Sequence, residues 1–229
     1  MAVWAVVPVR AGGKRLPGKG LATLGGRPLF VHVVERAARA AVDRVVVATD
    51  SSEVVAACKA HGLESVMTAP APCGTHRVWD AVQRLGGTPS VVLNVQGDQP
   101  LLDPSHLDAA VSLLERFDVG TVAAPLADPT PARRVKVVTA PNGRALYFSR
   151  APVPYGGPYL MHIGVYAFRA PVLPACVAAP RQQLARSEDL EQLAWLEAGI
   201  AVGVQTVTSA EAPVDDKHDL ERVRGALEP

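Results

Sequence analysis

Cysteine is scarce in this chain: Cys58, Cys73 and Cys176 are the only three in 229 residues, an odd number without metal-ligand spacing. That pattern excludes a disulfide framework and a cysteine-built zinc site, and it fits a reducing cytoplasm, which is the expected location. Net charge is nearly absent, +1 from 23 basic and 22 acidic side chains. So even a balance gives no polyanion-binding surface, and nucleic acid is not an expected partner. Long apolar runs are missing too, because the opening one is interrupted at Pro8 and Arg10. Neither a signal peptide nor a spanning segment is expected, and no membrane partner. Repeats, low-complexity tracts and interdomain linkers are not visible. Lysine is far rarer than arginine, and alanine, valine and proline are abundant, which suggests a GC-rich genome.

What is present is enough apolar material for one good core. At 48% hydrophobic content, 229 residues form a single α/β domain by expectation. The organising stretch is the opening. Val3–Val7 is β-branched and too short for a helix, so it reads as a buried strand. It empties into a loop holding Arg10, Lys14, Arg15 and Lys19 with Gly12, Gly13 and Gly18 between them. Glycines let backbone N–H groups approach phosphate oxygens, and the cations neutralise their charge. By itself a cationic loop reads first as solvated; its place after a first strand reverses that in favour of a ligand, because open α/β sheets bind there. It is neither Gly-x4-Gly-Lys-Ser/Thr nor Gly-x-Gly-x-x-Gly.

Further along, Pro28 begins a predicted helix through Ala41, and Arg44–Ala48 is a second strand. Asp50 or Ser51 caps the next helix. Ser65–Thr68 is a short strand, a helix runs from about His76 to Leu85, and Val91–Val95 is the fourth strand. A helix follows over about Pro104–Phe117. This alternation is the grammar of a doubly wound, mostly parallel sheet. The second half changes character. Val119–Ala124, Val135–Thr139, Ala145–Ser149 and His162–Phe168 are strand candidates without full crossover helices, so an inserted antiparallel portion is expected. Ser187-Glu188-Asp189 is predicted to start a helix reaching Ala198; Val202–Val207 is a last strand and Asp216–Leu227 a closing helix.

Asp98 follows the apolar strand beyond Gln96-Gly97. A carboxylate there suits Mg²⁺, the expected cofactor, which takes hard oxygens and shares them with substrate phosphates. A helix-capping or turn aspartate is the plain alternative.

Taken together, Pro-x-Arg-x5-Leu-Pro-Gly-Lys, Asn94-Val-Gln96-Gly-Asp98-x-Pro, Cys73-Gly74-Thr75-x-Arg77 and Pro213-Val-Asp215-Asp216 resemble the CMP-Kdo synthetases (3-deoxy-manno-octulosonate cytidylyltransferases). The resemblance spans nearly the whole chain. It implies a nucleotidyltransferase-type fold moving CMP from CTP to an acceptor with release of pyrophosphate. It implies that Arg10, Gly12, Gly13, Lys14 and Lys19 hold the triphosphate, that Arg15 and Lys19 act with Asp98 in catalysis, and that Asp98 and Asp215 hold Mg²⁺. Cys73, Gly74, Thr75, Thr68 and Gln96 fall on the base-binding side, with cysteine in place of the family's serine. Arg77, Arg150, His162, Tyr166 and Glu191 fall on acceptor-binding positions. Residues 1–125 would be mainly nucleotide-binding, and 126–210 mainly acceptor-binding and a homodimer contact.

The departures cluster on the acceptor side. Gly13-Lys14 stands where the family has Ser-Thr, and Pro131-Ala132-Arg133 where it has Asn-Pro-Asn, followed by Arg134. The segment from Arg150 to His162 is short against the family's. Extra cations and a shorter lid suggest an acceptor smaller and more anionic than an eight-carbon sugar acid, a phosphonate such as phosphonoformate. The alternatives are the family's own sugar acid, or a nucleotide-binding subunit without chemistry.

Overall fold

The computed structural model describes residues 1–10, 12, 18–211 and 213–227. The chain divides into two compact units, residues 1–104 with 211–229, and residues 105–210.

The first unit is a parallel sheet. Its strands are β1 (Val3–Val9), β4 (Arg44–Thr49), β5 (Ser65–Met67) and β6 (Val91–Val95), with a two-stranded ribbon, β2 (Thr23–Leu24) and β3 (Arg27–Pro28), after β1. Helices α1 (Leu29–Ala37), α2 (Ser52–Ala60) and α3 (Gly74–Leu85) make the crossovers. The spatial order is β6-β1-β4-β5, with Val6 opposite Val46 and Asn94 on its two sides. Ala5, Val6, Val7, Val46, Val47, Val92 and Leu93 are wholly buried, as strands covered on both faces require. The chain leaves β1 toward β4 and β5, then returns to the other side of β1 as β6. The switch point therefore lies between the carboxyl ends of β1 and β6, where such sheets open a crevice.

The second unit begins with α4 (Ser105–Ser112), which tightens into a 3₁₀ turn over Leu113–Glu115. Its strands are β7 (Val119–Leu126), β8 (Lys136–Thr139), β9 (Ala145–Ser149), β10 (Tyr159–Arg169) and β11 (Val202–Thr206). Antiparallel pairings join β10 to β7, β10 to β8 and β8 to β9, while β11 runs parallel to β7. This is the inserted antiparallel portion that the sequence predicts. Three short helices, α5 (Leu173–Ala178), α6 (Gln183–Ser187) and α7 (Glu191–Glu197), lie between β10 and β11; α5 and α6 have no counterpart in the sequence reading. The closing helix α8 (Lys217–Leu227) belongs to the first unit.

Several helix boundaries differ from expectation, those of α1 and α7 among them. Helix α1 stops at Ala37, four residues early: the amides of Arg39 and Ala40 take the tighter bonds to Arg36 and Ala37. The chain then anchors through Asp43, whose carboxylate accepts from the Val3 amide at 2.7 Å. Ser187-Glu188-Asp189 does not start a helix; it ends α6, with Asp189 in the left-handed region at φ 51°. The Glu188 carboxylate is drawn away to Ser149 Oγ at 2.6 Å and the Arg150 amide at 2.7 Å. Helix α7 starts after Leu190, without a side-chain cap.

Candidate active site

The site is built first from glycine. Gly18 sits at φ 70°, a left-handed conformation that costs a residue with a Cβ, and turns the chain into the 3₁₀ turn Lys19–Leu21. Gly97 lets the segment after β6 lie against β1: a Cβ there would sit 3.0 Å from both Pro8 O and Val9 Cγ2. These two turns bring Lys19 and Asp98 together at the switch point. Lys19 Nζ donates to Asp98 Oδ2 at 2.6 Å and to Val214 O at 2.8 Å, and it lies 3.9 Å from Asp215 Oδ1. Val214 is buried, and its amide donates to Asp98 O at 2.9 Å, which fastens the segment before α8 to the loop after β6. Asp219 Oδ2 accepts from the Asp215 amide at 3.0 Å, and Asp216 Oδ1 accepts from the Asp219 amide at 2.9 Å. Asp216 is thus the cap of α8, and Asp215 is left to face Lys19.

Asp98 and Asp215 converge on one cation from two segments more than a hundred residues apart, beside the carbonyl of Val214. That donor set is all oxygen, as Mg²⁺ requires. Among the described residues no cluster of three or more His, Cys, Asp or Glu side chains could hold a metal.

On the opposite side of the switch point, Cys73 precedes α3 in extended conformation, its sulfur 2.9 Å from His76 Nδ1. Thr75 is buried and accepts from Asn94 Nδ2 at 3.3 Å, and Asn94 Oδ1 accepts from Gln96 Nε2 at 3.1 Å. Gly74 lies against Gln96, where a Cβ would stand 3.3 Å from its Nε2. Gly74, Thr75 and Gln96 thus form one bonded group at the carboxyl end of β6. Arg10 and Gly12 line a cleft of about 460 Å³ with Asp50, Ser51, Ser52 and Glu53. Gly13, Lys14 and Arg15 lie outside the described residues.

Arg77, expected at an acceptor-binding position, lies in the interior. It is buried, donating to Thr68 Oγ1 and to Asp50 Oδ2 at 2.7 Å each. It ties α3 to the ends of β4 and β5. Asp50 is the residue that sequence reasoning missed. Ser51 is the cap of α2, accepting from Val54 N at 3.4 Å, so Asp50 is released to pair with Arg77 and line the cleft. An aspartate directly after an apolar strand was the available signal.

The remaining predicted acceptor residues lie in the second unit. His162 on β10 has Nε2 3.0 Å from Thr121 Oγ1, with the rings of Phe148 and Tyr166 at 5.1 and 5.2 Å. The Thr121 hydroxyl spends its proton on Val165 O at 2.6 Å, so it accepts from His162, which fixes the proton on Nε2. Burial pushes His162 down to about 3, so the ring is neutral. A bulge between Ile163 and Tyr166 is what presents Val165 O to that hydroxyl. Tyr166 is buried edge-on against Trp195 at 4.9 Å. The Arg150 guanidinium donates to Glu188 O at 2.7 Å, Asp189 O at 3.2 Å and Ala132 O at 3.3 Å. Glu191 opens α7, Arg133 is exposed, and Arg134 has a buried Nε without a hydrogen-bond partner among the described residues. Lys136 is wholly buried, with Nζ on the carbonyls of Arg150 and Pro131; burial pushes it down.

A parallel sheet with a cationic turn and a carboxylate pair at its switch point is an arrangement suited to a nucleotidyltransferase. The comparisons then specify which. The family model described as "Cytidylyltransferase" matches residues 4–206. A 3-deoxy-manno-octulosonate cytidylyltransferase of Anaeromyxobacter sp. (strain Fw109-5) is 43% identical, over 98% of this chain and 96% of that one. The protein of the same name from Azorhizobium caulinodans is also 43% identical, over 98% and 95%. A solved CMP:2-keto-3-deoxy-manno-octonic acid synthetase complexed with CTP superposes with a TM-score of 0.92 at 33% identity, over 99% of this chain and 98% of that one. A 4-diphosphocytidyl-2C-methyl-D-erythritol synthase from Anaerococcus prevotii shares the fold alone, at a TM-score of 0.70 and 13% identity. The chain belongs to the cytidylyltransferase family, and it is a CTP-dependent enzyme of the CMP-Kdo synthetase type. No described helix is long and apolar enough to cross a membrane.

Proposed function

We propose that this enzyme transfers CMP from CTP to a 3-deoxy-2-keto sugar acid and releases pyrophosphate. The observation that carries the proposal is the meeting of Lys19 with Asp98 and Asp215 at the switch point, in a chain whose full-length relatives are named for that acceptor. Asp98 and Asp215 hold Mg²⁺, which supplies charge neutralisation at the α-phosphate and a template for in-line attack. Lys19 and Arg10 grip the outer phosphates. Thr75, Gln96 and Gly74 fix the floor under the cytosine. The test is pyrophosphate release from CTP across a panel of acids with and without Mg²⁺. Release that needs both Kdo and the metal is the expected result; none with any acid would leave a nucleotide-binding subunit.

A small phosphonate acceptor is the second reading, and its support is the buried Nε of Arg134, without a hydrogen-bond partner among the described residues, together with Arg133 beside it. Against it stand the arginine exposed at 133 and the Arg150 guanidinium taken up by backbone carbonyls. Kdo and phosphonoformate compared side by side decide between them. We also propose a homodimer in the cytoplasm, paired through the second unit, whose Leu146, Tyr155 and Leu184 are large exposed apolar side chains. A monomeric mass in solution at micromolar concentration would contradict it.

A further inference from the structure

Lys19 is placed unexpectedly for a phosphate ligand. Its ammonium group stands between two carboxylates, 2.6 Å from Asp98 Oδ2 and 3.9 Å from Asp215 Oδ1, and it donates to Val214 O at 2.8 Å. All three neighbours are oxygens. Carboxylates that share one small space repel each other unless a cation lies between them. The ammonium answers that need with a single charge where a divalent ion would answer it with two. The backbone under the pair is fixed either way, because Val214 is buried and its amide holds Asp98 O. The lysine side chain is not: it is 24% exposed and ends a flexible four-carbon stem.

We propose that Lys19 is a built-in stand-in for the metal. Before nucleotide arrives, its ammonium neutralises Asp98 and Asp215. It yields that place when a nucleoside triphosphate delivers a divalent cation and offers phosphate oxygens to the ammonium in exchange. The inference rests on the reading of Asp98 and Asp215 as metal ligands. At no stage is the carboxylate pair or the ammonium left bare, which would be costly in a partly buried site. Metal alone must evict the lysine with nothing to receive it, so it binds weakly; metal and triphosphate enter together.

The test is titration of Mn²⁺, which accepts the same oxygen ligands, into nucleotide-free protein, with free Mn²⁺ read by electron paramagnetic resonance. Lys19→Met should bind Mn²⁺ about tenfold more tightly than the wild type, and adding Asp98→Asn should remove the gain. Arg10→Met removes an equal charge from the neighbouring strand end and should change the affinity less than about twofold. Thermal melting by circular dichroism establishes that each variant is folded. A Lys19→Met protein that binds no more tightly, or an Arg10→Met protein that gains as much, overturns the stand-in. If Asp98→Asn and Asp215→Asn abolish pyrophosphate release while Lys19→Met gains nothing, the stand-in falls and the metal reading survives. Asn variants that keep full turnover bring down both.

Discussion

The two units hold their polar side chains in opposite ways. In the parallel unit, Arg10, Asp50, Cys73 and Asp98 all come just beyond a strand or just before a helix. In the antiparallel unit, Thr121, Lys136, Ser149 and His162 lie within strands, bonded to a neighbour across the ladder, to nearby carbonyls or to the Glu188 carboxylate. The difference follows from connectivity. Crossovers deliver every parallel strand in the same direction, so all carboxyl ends collect at one edge and a polar residue there faces a ligand. Hairpins reverse direction each time, so a polar residue finds its partner by register, inside the sheet.

The comparison breaks most easily at Asp98. If the residues beyond parallel strands face substrate, Asp98→Asn should cut turnover about a thousandfold while leaving the unfolding midpoint near that of the wild type. Steady-state pyrophosphate release and urea denaturation measure the two sides. Near-normal turnover would make Asp98 a turn residue and the switch-point argument empty.

Arg77 is the exception within the parallel unit, and it sharpens the rule. Being interior and paired with Asp50, it should matter chiefly for stability. Arg77→Ala leaves Asp50 unpaired at a site where the arginine side chain is only 1% and the aspartate 29% exposed. The expected loss is about 3 kcal/mol, at the low end for a broken buried pair because Asp50 keeps some water. An unchanged denaturation midpoint with abolished turnover would return Arg77 to the acceptor.

His162 tests the antiparallel side through pH. Its folded-state value lies near 3, against 6.5 when exposed. The unfolded chain therefore binds the proton first. Stability is unaffected above 6.5 and falls as pH drops from there toward 3. Between pH 7 and 5 this group alone removes about 2 kcal/mol. His162→Gln should lose correspondingly less over that interval. Equal acid sensitivity in the two proteins would mean that the ring reaches water and is not confined by Thr121, Phe148 and Tyr166.

Legibility divides along the same line. The parallel sheet and the ligand loop after its first strand were readable because motif position in the first unit is spatial position, whereas Asp215 as the partner of Asp98 came from the family resemblance alone. Asp50 escaped because Asp50 and Ser51 are equally good caps on paper, and only the structure shows that Ser51 takes the role. In the second unit the strands were readable from β-branched and aromatic runs. The partners of Glu188, Arg150 and Lys136 were not, since each depends on which residues β8, β9 and the loop after α6 bring opposite one another. Ser187-Glu188-Asp189 looked like a helix start because acidic residues favour one; tertiary bonds to Ser149 and Arg150 outbid that local preference. An arginine whose donors end on carbonyls looks, in sequence, like any other arginine.

The smallest effect is expected at Asp216, beside the residue proposed as the second metal ligand. Asp216 Oδ1 accepts from the Asp219 amide at 2.9 Å, and the Asp219 carboxylate accepts from the Asp215 amide at 3.0 Å. These reciprocal bonds close the start of α8 and aim Asp215 without placing Asp216 in the site. Asp216→Ala should therefore cost about 1 kcal/mol of stability, the usual worth of a helix cap. It should lower turnover less than about tenfold, through loosened aim at Asp215. Asp215→Asn should do the reverse, leaving the cap intact and removing most of the turnover. Measured as a pair, the two variants separate a residue that faces the switch point from one that only secures it. Should Asp216→Ala prove the more damaging to turnover, the metal belongs to Asp216, and the alignment of this segment with its relatives is off by one residue.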